Sequence, residues 1–143
     1  MLYIALSVAF LFVMGSVMWL RPSPADKRLA GLRQTAASLG LRVSWLPSKE
    51  TAWLQPPDRK WMRYACHRPS PKESLMLLRW LRTADGWLAI GHREAFPAQL
   101  QLPESVAALE LTAHDCAIIW SEEGGEEAVQ QIAQALKQFA QKN

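Results

Sequence analysis

The sequence predicts an α+β fold: an N-terminal transmembrane helix followed by a mainly antiparallel sheet of about six strands flanked by two helices. Three observations predict it. Residues 1–20 include no charged side chain. The middle of the chain is a series of short alternating or apolar runs divided by Pro, Gly and Asp, the pattern of hairpin-connected strands. Two stretches, residues 23–40 and 126–140, instead carry their apolar residues at helical spacing.

The apolar run comes first. A helix rises about 1.5 Å per residue, so twenty residues cover a hydrocarbon core of about 30 Å. Tyr3, Ser7 and Ser16 are its polar members, and a helix accommodates them. Trp19 stands at its end, where an indole favours the headgroup region. Arg21 stops the run, and Pro22 and Pro24 discourage one unbroken helix from continuing. A cleaved signal peptide would carry a basic stretch before a shorter apolar core and a small-x-small site after it; the chain offers no basic stretch and no clean site. Arg21, Lys27, Arg28 and Arg33 follow the span and no basic side chain precedes it. These membrane-proximal cations place the C-terminal domain in the cytoplasm. The expected organisation is a transmembrane helix over 1–20, a juxtamembrane amphipathic helix over 21–40 and a cytoplasmic α+β domain over 41–143. That domain is long enough to bury a core without disulfides or metal. Its two cysteines, Cys66 and Cys116, are expected reduced in that compartment.

In residues 23–40, Ser23 is the N-cap candidate, Pro24 suits the first helical position and Asp26 lies three residues after Ser23, as in a capping box. Leu29, Leu32, Ala36 and Leu39 form one stripe, and Gly40 ends the helix. Residues 41–46 alternate, with Leu41, Val43 and Trp45 against Arg42, Ser44 and Leu46. Residues 47–58 hold three prolines and read as a loop. Residues 60–67 alternate again, with Met62, Tyr64 and Cys66 on one side. Residues 68–74 connect to an apolar run over 75–82, read as a central strand. Asp85-Gly86 signals a hairpin into residues 87–92. Residues 93–105 are irregular. Residues 107–112 and 116–120 form a second hairpin around 113–115. The final helix, 126–140, has a stripe of Val129, Ile132, Leu136 and Phe139, with Glu126 and Glu127 at its positive end and Lys137 and Lys142 towards its negative end. A curved sheet or small barrel plugged by this helix, in the manner of pleckstrin-homology-like domains, is a variant of the same element order.

Residues 1–93 hold 14 Lys and Arg against 5 Asp and Glu, and residues 94–143 hold 2 against 8. The basic part lies nearest the span, where anionic lipids attract cations by about 1 kcal/mol each. The plainer reading is solvated strand faces plus the topology signal.

Leu20-Arg21-Pro22-Ser23-Pro24, followed by Leu29-x-x-Leu32-Arg33 and Gly40-Leu41, resembles small uncharacterised single-span proteins of the proteobacterial inner membrane. The resemblance covers about the first third of the chain. It implies the bacterial inner membrane as location and carries over no activity and no functional residue.

Chemistry-bearing residues are sparse. Cys66-His67 and His114-Asp115-Cys116 are the only metal-like cluster, without paired C-x-x-C spacing, and a strand points Cys66 and His67 to opposite faces. Cys66 with His67 or His92, and Asp115 as orienting group, would be the thiol arrangement, but no thiol-enzyme signature surrounds either cysteine. Arg59, Lys60, Trp61, Arg63, Tyr64, Arg68, Arg79, Trp80 and Arg82 interleave cations with aromatics, as single-strand binders do; strand alternation scatters them over two faces. Gly124-Gly125 lacks the Lys-Ser or Lys-Thr of a phosphate loop, and there is no G-x-G-x-x-G. The expectation is therefore a membrane-anchored binding or accessory module assisting assembly or regulation of a membrane complex. It has no catalytic residues, no cofactor, no metal and no nucleic acid; its partners are the lipid bilayer and a membrane protein. A peripheral domain sensing anionic lipid and a thiol- or zinc-dependent enzyme are the alternatives.

Overall fold

A computed structural model describes residues 1–57, 59–71 and 77–142 of the chain. Two compact units result, Met1–Ala30 and Gly31–Asn143. The division falls inside a helix rather than at residue 40, because Leu32 and Ala36 are buried with the domain.

The first unit contains helix α1, Leu2–Trp19, which is long and apolar enough to cross a membrane. Its two serines need no outside partner: Ser7 Oγ donates to the Tyr3 carbonyl and Ser16 Oγ to that of Phe12, each at 2.8 Å. Helix α2, Pro24–Ser38, starts with the expected capping box. The Asp26 N–H donates to Ser23 Oγ at 3.1 Å, and the Ser23 N–H to Asp26 Oδ2 at 3.3 Å.

Helix α2 closes within the second unit. Gly40 has φ +84°, the Leu41 N–H bonds back to the Ala36 carbonyl and the Gly40 N–H to that of Ala37, which is the Schellman closure. Strands β1 (Arg42–Trp45), β2 (Met62–His67), β3 (Leu78–Thr83), β4 (Gly86–Ile90), β5 (Val106–Leu111) and β6 (Asp115–Trp120) follow, then helix α3, Glu126–Lys142. They form one open sheet in the order β1-β2-β6-β5-β3-β4, antiparallel at every junction. Among the described residues β1 and β4 are the two ends of the sheet and do not pair with each other, so the barrel variant is not formed. The run expected to be central begins with residues 75 and 76, which lie outside the described residues. Its described part, β3, sits one place from the edge, and β6 and β5 are the central pair. In the first hairpin Thr83 opposes Gly86. The loop is therefore Ala84-Asp85, and Gly86, at φ +121°, opens β4 in a backbone conformation that glycine accepts at no steric cost.

Strand alternation sorts the sheet into two faces. Tyr64, Cys66, Leu109, Cys116, Ile118 and Trp120 occupy the face under α3, whose Val129, Ile132, Leu136 and Phe139 are buried. Residues 91–105 extend that layer over β3 and β4. There the Trp80 indole donates to the Glu94 carbonyl at 3.0 Å, and Phe96 stacks on Trp87 at 4.2 Å. The opposite face is covered at one end by the loop after β1. Leu46, Leu54 and Trp61 bury there with Ala108 and Ile119, and Trp53, Leu81 and Ala107 pack around them. This second cluster corrects two expectations for β1. Leu46, on the side expected to be polar, is buried, and Trp45, on the side expected to be apolar, is 66% exposed. A two-sided core overrides simple alternation, and an edge strand leaves its terminal residue uncovered.

Candidate functional site

The four cations expected near the membrane separate. Arg21, Lys27 and Arg28 are exposed. Arg33 turns into the domain, where Nε and Nη2 donate to the two Glu122 oxygens at 3.0 and 2.6 Å. Tyr64 donates its hydroxyl to the same carboxylate at 2.6 Å, and Glu122 is 2% exposed. The hydrogen bond to Glu122, ahead of the burial that opposes it, raises the Arg33 pKa.

This pair belongs to a wider pattern. Arg42 meets Asp115 at 2.8 Å, Arg59 meets Glu123 at 3.5 Å, and Arg63 and Arg79 flank Glu110 at 3.7 and 3.8 Å. Each pair joins a cation from the basic part of the chain to an acid from the acidic part. The charge asymmetry of the sequence thus becomes internal pairing, because β2 and β3 lie directly beside β6 and β5. Arg79 also lies over Trp53, while Arg82 donates to the Pro103 carbonyl and covers Trp87. The cation–aromatic series is divided between two faces and forms no platform.

The thiols sit side by side. Cys66 and Cys116 are cross-strand partners, both free and both buried. Burial first, then the neighbouring Cys66, raises the Cys116 thiol from an ordinary 9.0 to about 12; burial likewise raises Cys66. A nucleophilic or metal-binding thiol needs the opposite shift. Neither histidine serves them as a base. His67 is exposed and 3.8 Å from Asp115, on the other face from Cys66, and His92 packs against Trp80 and bonds the Arg79 backbone. Among the described residues no group of three His, Cys, Asp or Glu is placed to hold a metal ion.

These buried thiols give the domain an alkaline limit. Their folded pKa values lie above the unfolded ones, so their contribution is complete below about pH 9 and is lost as pH rises above it, for Cys116 towards about 12. Burial and the Glu122 bond also raise Tyr64 above its ordinary 10.0. Urea midpoints are expected to fall from about pH 9 upward. With Cys66→Ala and Cys116→Ala combined, the fall begins nearer pH 10, where unfolded tyrosine ionises. An unchanged onset would mean the thiols titrate normally.

The arrangement that the sequence left unnoticed is a groove of about 380 Å³ beside α3. Gln131, Gln134 and Gln138 form one wall, and Gln99 and Gln101, on either side of the buried Leu100, form the other. Leu100 and the buried Phe139 supply apolar surface, and among the described residues no charged side chain lines it. Gln131 Nε2 donates to the Gln101 carbonyl at 3.3 Å and ties the walls together. No family model, curated protein or solved structure matches this chain. The groove is therefore read by its chemistry. Each glutamine offers two donors and an acceptor oxygen, and the volume lies in the range of ligand clefts. It suits an uncharged occupant that can both donate and accept. The spacing of the three helical glutamines, at i, i+3 and i+7, was the available signal. A polar helix face normally attracts no notice because solvent explains it.

Proposed function

We propose that the protein is a single-pass anchored binding module of the bacterial inner membrane, with its domain in the cytoplasm. In this reading the glutamine-lined groove holds an uncharged, extended segment of a membrane-protein partner and so assists assembly or regulation of a complex. The observation that carries the reading is the glutamine-lined groove, on a chain whose first helix is long and apolar enough to cross a membrane. Peptide backbone alternates donors and acceptors, which glutamine amides match without selecting a charge. Tethering both molecules in one bilayer raises their effective concentration, so a modest groove suffices. The four basic side chains after the span support the cytoplasmic orientation. The anionic-lipid reading is less favoured, since five of the cations it would use are engaged with acids of the same domain. The enzyme reading is less favoured because burial holds both thiols protonated.

The test uses the full chain in cells, with a photo-reactive residue at Gln134 or at the exposed Lys60 as control. Position 134 is expected to capture one membrane protein reproducibly and position 60 not. Gln131→Ala with Gln138→Ala should lower the yield about fivefold, the equivalent of about one hydrogen bond. Identical adducts at both positions, or none, would remove the groove from the reading. A reporter after Asn143 that works only when exported should stay silent; its activity would reverse the orientation.

A further inference from the structure

The two edges of the sheet are built differently. β1 has four residues, carries the exposed Arg42 and runs into Pro47 one residue after Leu46. Shortness, charge and proline are the means by which an edge avoids recruiting another strand. β4 is one residue longer and lacks the other two. Gly86-Trp87-Leu88-Ala89-Ile90 contains no charge and no proline, and it pairs with β3 through five consecutive positions without a register shift. Among the described residues no strand lies on its outer side. Leu88, at its centre, is 54% exposed.

The strand also complements itself. A twofold axis beside Leu88 would set Leu88 against its own copy, Trp87 against Ala89 of the partner subunit and Gly86 against Ile90 of the partner subunit. Large side chains then oppose small ones and no like charges meet, which is what an isologous antiparallel contact requires. Leu88 lies opposite Leu81, which packs on the cluster of Leu46, Leu54 and Trp61. Pairing at β4 would therefore continue that apolar layer from one copy into the next.

We infer that β4 is a homodimer edge: two copies join β4 to β4, antiparallel and centred on Leu88, into one continuous sheet. This is independent of what occupies the glutamine groove. Directly opposed residues in an antiparallel pair have Cα atoms about 4.5–5.5 Å apart, within disulfide reach.

The test uses the full chain in its native membrane, with Cys66→Ala and Cys116→Ala as background. Leu88→Cys is expected to give a covalent dimer under mild oxidation, and Trp45→Cys, on the other edge, to give at least tenfold less. With native cysteines, the purified protein in mild detergent should sediment as a dimer, and Leu88→Lys as a monomer with unchanged circular dichroism. Equal cross-linking at both edges, a monomer for the unmodified chain, or a dimer indifferent to Leu88→Lys would each overturn the inference.

Discussion

Replacing Trp61 by alanine is expected to lower the stability of the domain by about 3–5 kcal/mol, the range for truncating a buried tryptophan. The side chain is 2% exposed and anchors the cluster on the sheet face opposite α3. Its indole N–H donates to the Pro56 carbonyl at 2.9 Å. The change therefore opens a cavity and also frees the loop that roofs it, which is fastened further by Thr51 Oγ1 against the Pro57 carbonyl at 2.9 Å. Trp61→Phe keeps most of the apolar area but leaves that carbonyl without its donor, and is expected to cost about 1–2 kcal/mol. Trp45→Ala is the control. Trp45 is 66% exposed, so its removal should stay within about 0.5 kcal/mol. Urea unfolding of the three variants measures this directly. Near-equal costs for Trp45→Ala and Trp61→Ala would show that the second face holds no core.

Those two tryptophans also show how far the sequence could be read. Period-2 alternation placed both on strands; Trp45 ends β1 and Trp61 stands one residue before β2, while the capping box, the Gly40 stop, the hairpin at residues 84–86 and the α3 stripe lay where local chemistry put them. Local signals succeed because each depends on a few adjacent residues: Ser23 with Asp26, or Gly86 with its positive φ. Strand order did not follow, since the placement of β6 between β2 and β5 is decided by contacts far apart in sequence. For the same reason Leu46 passed for a solvent-side residue, as its cover comes from Leu54 and Trp61. The site was the least legible part. Gln99 and Gln101 lie some thirty residues from their helical counterparts, and neutral amides give no charge pattern to notice. The charge asymmetry was plain in the sequence, but its partner choice was not. Arg33, grouped there with the membrane-proximal cations, finds Glu122 only once α2 lies against the sheet.

That ion pair sets the second large effect. Glu122→Ala should lower stability by about 2–3 kcal/mol, below the usual cost of breaking a fully buried pair because Arg33 keeps 41% of its side chain exposed. The loss comes from three bonds to one carboxylate, two from Arg33 and one from Tyr64. Glu122 also stands at φ +62°, a left-handed conformation that costs a non-glycine residue about 1 kcal/mol. Glu122→Gly relieves that cost while removing the same bonds, so it should be about 1 kcal/mol less damaging than Glu122→Ala, the reverse of the usual order for these residues. Tyr64→Phe alone should cost about 1–2 kcal/mol, and in the Glu122→Ala background much less, because its acceptor is already gone. A double-mutant cycle from denaturant midpoints gives both numbers. Additive losses would mean that Tyr64 and Glu122 act separately, and glycine falling below alanine would mean that the carboxylate is held there without strain. If coupling and the reversed order both appear, the sheet corner tolerates an unfavourable backbone because one acid fastens α2 and β2 together.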